Sequence, residues 1–248
     1  MSALEIRRVY LPDAQEARGV VIVIDVIRAF TVAAYALAGG ASRLWLVRTT
    51  DEAFALRQRA PQALLAGEIG GRLIPGFDYN NSPSLMAAGN IKGRIIIQRT
   101  GAGTQGAASA INAAHLLICS LVNARATARY AHQLAEETDG VVTLLPTEQP
   151  EHPYNRLGED AVCADYLEAL LRDQENASTQ LTQNIARLES AGRFDFFKPG
   201  DFDFPIEDIA LIKAFDRFNF AMVGRHKQWN GITYVEVPTN CATRLLQS

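Results

Sequence analysis

The sequence predicts an α/β protein, a layered α/β/α arrangement around a largely parallel or mixed sheet. Three observations predict it. Short apolar runs alternate with helical stretches from Val20 to Leu145, the pattern of β-α-β repetition. Val20-Val21-Ile22-Val23-Ile24 is a β-branched run with no polar alternation, as in a strand covered on both faces. Polar, chemistry-bearing residues recur just after the apolar runs, where α/β sheets bind their ligands.

The elements follow in order. Asp25 ends the first strand, and Ala29 to Ala38 reads as a helix stopped by Gly39-Gly40. Leu44 to Val47 is a second strand. A helix then runs to Arg59, with Thr50 as its expected cap and Asp51-Glu52 suiting its positive end. Ala63 to Ala66 is a short third strand leading to Gly67-Glu68. Residues 69 to 84 form a loop rich in Gly, Pro and Asn, followed by a helical turn from Leu85 to Ala88. Arg94 to Gln98 and Leu116 to Cys119 are the fourth and fifth strands, with a helix over Ala107 to Ala114 between them. Asn123 to Glu136 reads as a helix and Val141 to Leu145 as the sixth strand. Helices are expected from Glu159 to about Arg172, Thr179 to Ala191 and Ile206 to Phe215, then a strand from Ile232 to Val237. Residues 1–248 read as one α/β unit, and the polar loop 146–158 is the one candidate for a lobe boundary.

The totals narrow the function classes. The 248 residues suffice for a sizeable core, with 48% apolar and 21% charged residues and a net charge of −3. That balance, with no Lys/Arg run, argues against nucleic acid as a partner. No apolar run approaches the ~18 residues of a membrane span. The first residues lack a basic-then-apolar leader. Cys119, Cys163 and Cys241 are widely spaced and odd in number, which suits free thiols in a reducing compartment. A cytoplasmic protein is therefore expected, and a homo-oligomer is compatible with these totals. The four histidines have no metal-ligand spacing. His152 lies in the 146–158 loop, and Cys163 reads as a small apolar helix residue.

The strand ends deliver Asp25 and Arg28, then Glu68, then Arg99, Thr100, Gly101, Gly103 and Thr104. Ser120 and Asn123 come next, then Thr147 and Glu148, with Glu159-Asp160 after the loop. An Asp after a strand is often only a turn former, and Glu159-Asp160 also suits a charged first turn of a helix. Together, however, carboxylates suit a hard cation such as Mg²⁺, while arginine, hydroxyls and loop N–H groups suit phosphate. These are the parts of a metal-assisted phosphoryl-transfer site.

Gly101-Ala102-Gly103-Thr104-Gln105-Gly106 is also a literal G-x-G-x-x-G, which raises a nucleotide- or dinucleotide-dependent oxidoreductase as an alternative. A Rossmann fingerprint follows the first strand directly and has an acid about 20 residues on. Here the segment follows the fourth strand after Gln98-Arg99-Thr100, and residues 120–126 hold no acid. No Gly-Lys-Ser/Thr follows either, so the loop is not a Walker A. A non-catalytic small-anion-binding protein is the third reading of the same parts.

Several segments, taken as an ordered set, resemble the 2-phosphosulfolactate phosphatase family. They are Ile24 to Ala29, Gly67 to Gly71, Gly76 to Pro83, Gly103-Thr104, Ser120 to Ala124 and Glu159-Asp160. The resemblance implies a Mg²⁺-dependent phosphatase acting on phosphate monoesters of 2-hydroxy acids. Phosphosulfolactate, on the route to coenzyme M, is the name-giving substrate. The family's loop commonly reads Thr-Thr-Asn-Gly-Thr, where this chain has Thr100-Gly101-Ala102-Gly103-Thr104; Ile69 replaces an arginine, and Arg99 adds one. These departures put the substrate in question more than the chemistry. The site expected is Asp25, Glu68 and Asp160 on Mg²⁺, with Glu159 as ligand or orienter. Arg28, Arg99, Thr100, Gly101, Gly103 and Thr104 would take the phosphate, and Asn81, Ser82 and Asn123 would orient the substrate acid.

Overall fold

A computed structural model describes residues 4–148 and 158–239. The expectations on His152 and Cys241, and most of the 146–158 segment, lie outside the described residues. The elements are β1 (Glu5–Arg8), β2 (Val20–Ile24), α1 (Ala29–Ala38), β3 (Arg43–Val47), α2 (Thr50–Arg59), β4 (Leu64–Ile69) and β5 (Arg72–Leu73). Then come α3 (Pro83–Ala88), β6 (Ile95–Arg99), α4 (Gly103–Ser109), β7 (His115–Cys119), α5 (Ala124–Glu136) and β8 (Val141–Pro146). The chain continues through α6 (Glu159–Leu171), α7 (Ala177–Ser190), α8 (Asp208–Ile212), β9 (Met222–Trp229) and β10 (Ile232–Pro238).

The strands form one mixed sheet in the order β1-β8-β2-β7-β9-β10-β3-β6-β4-β5. The α/β class is as the sequence predicts, but the sheet has an unexpected internal reversal. β1, β8, β2 and β7 pair in parallel, and so do β3, β6 and β4. The hairpin β9–β10 joins the two blocks through three antiparallel pairings, β7–β9, β9–β10 and β10–β3. Three reversals leave the two parallel blocks running in opposite directions. The strand ends that carry the candidate residues therefore do not all lie at one edge of the sheet.

Packing brings the two blocks back together. In β2, Val20, Ile22 and Ile24 face a core shared with α5, α6 and α7, while Val21 and Val23 face a second core. That second core contains α1 and α4, together with residues of both blocks, among them Ile118 and Leu145 on one side and Leu44, Leu46 and Ile96 on the other. α1 is buried from Ala29 to Leu37, on every face. A helix apolar all round needs walls all round, and α3, α4, β3, β7 and the turn after β7 supply them. α2 covers the outer face of β3, β4 and β6 through Ala53 and Leu56.

Several element ends differ from expectation. Thr49, not Thr50, caps α2: its hydroxyl accepts from the Glu52 N–H at 3.1 Å, and Glu52 returns to the Thr49 N–H at 2.9 Å. The helix expected over Ala107 to Ala114 starts earlier, at Gly103, and stops at Ser109. The helix expected over Ile206 to Phe215 contracts to Asp208–Ile212. β9 had no apolar run to announce it, because Arg225, Lys227 and Gln228 are not buried. Its turn Asn230-Gly231, with both φ positive, is the hairpin signal that marks it.

Candidate active site

The end of the first parallel block collects four carboxylates. Asp25 follows β2, and its Oδ1 accepts the Ala29 N–H at 2.9 Å at the start of α1. Asp160 lies in the first turn of α6. Its Oδ1 accepts from the Val26 N–H at 2.7 Å, and its Oδ2 accepts from the Thr147 N–H and hydroxyl and the Glu148 N–H at 3.1–3.2 Å. One carboxylate thus ties the ends of β2 and β8 together. Glu148 follows β8; its Oε1 accepts the Ala161 N–H at 2.9 Å, while its buried Oε2 has no hydrogen-bond partner among the described residues. Glu159 pairs side-on with Arg193, at 2.5 Å from Nε and 2.8 Å from Nη2. Glu148, Glu159 and Asp160 all sit at the positive end of α6, which favours them.

The sum of these charges is nevertheless unfavourable. Burial pushes the Asp25 carboxyl up to about 7, opposed by the Ala29 N–H and reinforced by Glu159 and Glu68. Burial, and then Glu159, pushes Glu148 up to about 7. Burial followed by the charges of Asp25, Glu159 and Glu148 raises Asp160 well above the usual carboxylate range. Arg193 is the one cation hydrogen-bonded to this cluster among the described residues.

The loop after β6 bridges this cluster to the second block. Gly101 donates its N–H to Glu68 Oε1 at 2.6 Å, and Gly71 donates to Oε2 at 2.7 Å. Gly103 packs on Asp25 so closely that a Cβ there would lie 2.6 Å from Oδ2, and its backbone N–H helps to lower that carboxyl against the effect of burial. Thr100 and Thr104 secure the turn: the Thr104 N–H donates to Thr100 Oγ1 at 3.1 Å, and the Thr100 N–H to Thr104 Oγ1 at 2.9 Å. The expected phosphate cradle is thus a real turn, but its glycine N–H groups serve the carboxylates. Glu68 accepts from that loop, and its charge lies close enough to Asp25 to raise that carboxyl.

Other expected residues are placed differently. Arg28 is buried and directed to Asp208 Oδ2 at 3.0 Å, the Asp203 carbonyl at 2.6 Å and the Gly71 carbonyl at 3.1 Å. The Phe204 ring covers it, 4.8 Å from centroid to guanidinium carbon. These partners tie both terminal nitrogens of Arg28 into the fold. Ser82 caps α3 and donates to Asp208 Oδ1 at 2.7 Å. Asn123 closes the turn after β7, accepting from the Ser120 N–H at 3.0 Å and donating to Thr127 Oγ1 at 3.0 Å. Both side chains are hydrogen-bonded within the fold. Asn81 is buried beside Gln98, 3.5 Å from its side-chain amide nitrogen. Arg99 reaches the Glu68 carbonyl at 2.6 Å and keeps a buried Nε with no partner among the described residues. Cys163 and Cys119 are buried free thiols. Glu148 was visible among the strand-end residues, whereas Arg193 was missed; the helix-ending Gly192 before it was the available signal.

Among the described residues, no three Asp, Glu, His or Cys side chains stand in a ready ligating arrangement. The donor set nonetheless fits a hard cation: it is all oxygen, it is over-negative, and Glu148 Oε2 lacks a partner.

Comparison with known proteins adds an independent line. The family described as 2-phosphosulpholactate phosphatase matches residues 8–191. A protein of Bacillus subtilis named probable 2-phosphosulfolactate phosphatase is 43% identical over 150 residues, 60% of this chain and 63% of its own length. A protein of Deinococcus radiodurans with the same name is 45% identical over 133 residues, covering 53% and 55%. One of Carboxydothermus hydrogenoformans is 38% identical over 155 residues, covering 62% and 61%. Each match spans less than two thirds of the relative's length.

Proposed function

The chain belongs to the 2-phosphosulpholactate phosphatase family, and from that premise we propose that it hydrolyses a small phosphate monoester of a 2-hydroxy acid, with Mg²⁺ as cofactor. 2-Phosphosulfolactate and its close analogues are the substrate class, as the relatives' names suggest for those proteins. The observation that carries this reading is the buried, over-negative cluster of Asp25, Glu148, Glu159 and Asp160 at the ends of β2 and β8.

In this reading Asp25, Glu148 and Asp160 would hold the cation, which would neutralise phosphate charge and polarise the ester. Arg193 fixes Glu159 beside them. The backbone N–H groups of Val26, Thr147 and Glu148 hold Asp160 in one orientation, and those of Ala29 and Gly103 do so for Asp25. In the overall reaction an oxygen of water bonds to phosphorus, the ester P–O bond breaks, and the leaving alkoxide takes up a proton. Inorganic phosphate and the free hydroxy acid result. Asp25 would either ligate the cation or attack phosphorus itself, and trapping of a phosphorylated enzyme distinguishes the two.

The test is a panel of small phosphorylated hydroxy acids, each assayed for kcat/KM with Mg²⁺. Turnover of one or more, with 2-phosphosulfolactate or a near analogue preferred, supports the proposal. Binding without turnover across the whole panel returns the protein to the anion-binding class.

A further inference from the structure

Arg193 is delivered to the carboxylate cluster by a helix end built for the purpose. α7 closes in a Schellman motif: the Arg193 N–H donates to the Leu188 carbonyl at 3.0 Å, and the Gly192 N–H to the Glu189 carbonyl at 2.9 Å. Gly192 takes the left-handed turn at φ +75°. The next residue, Phe194, is buried in the core. The backbone at Arg193 is thus fixed on both sides.

The side chain is fixed as well. Glu159, itself only 5% exposed along its side chain, holds Nε and Nη2 side-on. A guanidinium has five N–H groups in a rigid fork, so this grip leaves the Nη1 edge unused. None of the described residues hydrogen-bonds to Nη1, and the side chain is 26% exposed. Arg28, by contrast, has both terminal nitrogens committed to the protein. An arginine clamped by a carboxylate on one edge and open on the other is the arrangement that binds phosphate through charge-assisted hydrogen bonds.

We propose that Arg193 is a phosphate-binding residue of this site, with Glu159 holding its far edge so that Nη1 meets the phosphoryl oxygens. The assignment rests on the phosphatase reading above and replaces Arg28 as the cationic phosphate contact. Glu159 then serves as the arginine's anchor and not as a ligand of the cation.

The test is titration of full-length protein with inorganic phosphate in the presence of Mg²⁺, comparing wild type, Arg193→Lys, Arg193→Gln and the double variant Glu159→Gln/Arg193→Gln. Thermal midpoints establish that each variant folds. Arg193→Gln should weaken phosphate binding roughly tenfold or more, the worth of a charge-assisted contact. Arg193→Lys should recover part of it, and the double variant should stay weak. KM should rise in the same order for whichever phosphomonoester the wild type turns over. Unchanged phosphate affinity in Arg193→Gln would overturn the assignment. So would recovery in the double variant, because Arg193 would then only neutralise Glu159. A wild type that neither binds phosphate nor hydrolyses any monoester removes the parent reading, a pattern distinct from wild-type binding that Arg193→Gln leaves intact.

Discussion

At the scale of single residues, the site turns on which oxygens are already satisfied. Glu148 Oε2 has no partner among the described residues, so Glu148→Gln replaces a buried, repelled acid by a neutral amide without removing an accepted hydrogen bond from Oε1. The variant should be at least as heat-stable as wild type without divalent cation at pH 8, and should gain less from added Mg²⁺; differential scanning calorimetry measures both. Gly103→Ala drives a methyl group to 2.6 Å from Asp25 Oδ2 and 2.8 Å from Ala29 Cβ. Overpacking of this kind costs about 1–3 kcal/mol, and because it displaces Asp25, phosphatase activity should fall more than stability does. Arg28 offers the opposite contrast. Asp208→Ala leaves its guanidinium buried without a counter-charge, which costs about 3–5 kcal/mol. Urea unfolding should show that loss. A variant that keeps full stability but loses phosphate affinity would return Arg28 to the substrate.

At the scale of elements, what the sequence announced and what it concealed have separate physical causes. β2, α1 and β8 were legible because burial on two or more faces leaves apolar runs, and α5 because its buried residues recur at helical spacing between exposed Arg125, Arg129 and Gln133. β1 and β9 were not, since each is a partly exposed strand of alternating or charged residues. Asp25 and the Thr100–Thr104 turn were legible because polar groups follow buried strands there, and Asp160 because an acidic pair opens a helix. The roles of Arg28, Ser82 and Asn123 were not, because their partners, Asp208 and Thr127 among them, are set by tertiary packing. Arg28 and Asp208 are 180 positions apart. α1 carries a prediction of its own. Phe30 is fully enclosed in the core that joins the two sheet blocks, so Phe30→Ala should cost about 3–5 kcal/mol, read by urea denaturation. Asp25 lies just before that helix, so activity should fall with it.

At the scale of the whole molecule, a reversed sheet coiled around α1 and α4 places the Asp25 cluster of one block against the β6–α4 loop of the other. Concentrating carboxylates there makes stability depend on pH. The Asp25 and Glu148 carboxyls titrate near 7 in the fold, above their ordinary values of 3.8 and 4.5. The fold therefore favours their protonated forms. The associated stability is fully present below about pH 4 and is lost as pH rises to about 7. Without divalent cation, the thermal midpoint should decline across that window in proportion to this loss. A cation that neutralises the cluster should oppose the decline, so Mg²⁺ should raise the midpoint more at pH 8 than at pH 5. The account as a whole is tested most directly by release of inorganic phosphate from 2-phosphosulfolactate, measured for wild type and Asp25→Asn with Mg²⁺ and with EDTA. The expected result is turnover by wild type with Mg²⁺ alone, reduced at least about 100-fold by EDTA or by the substitution. Equal release in EDTA, or full activity in Asp25→Asn, would contradict it.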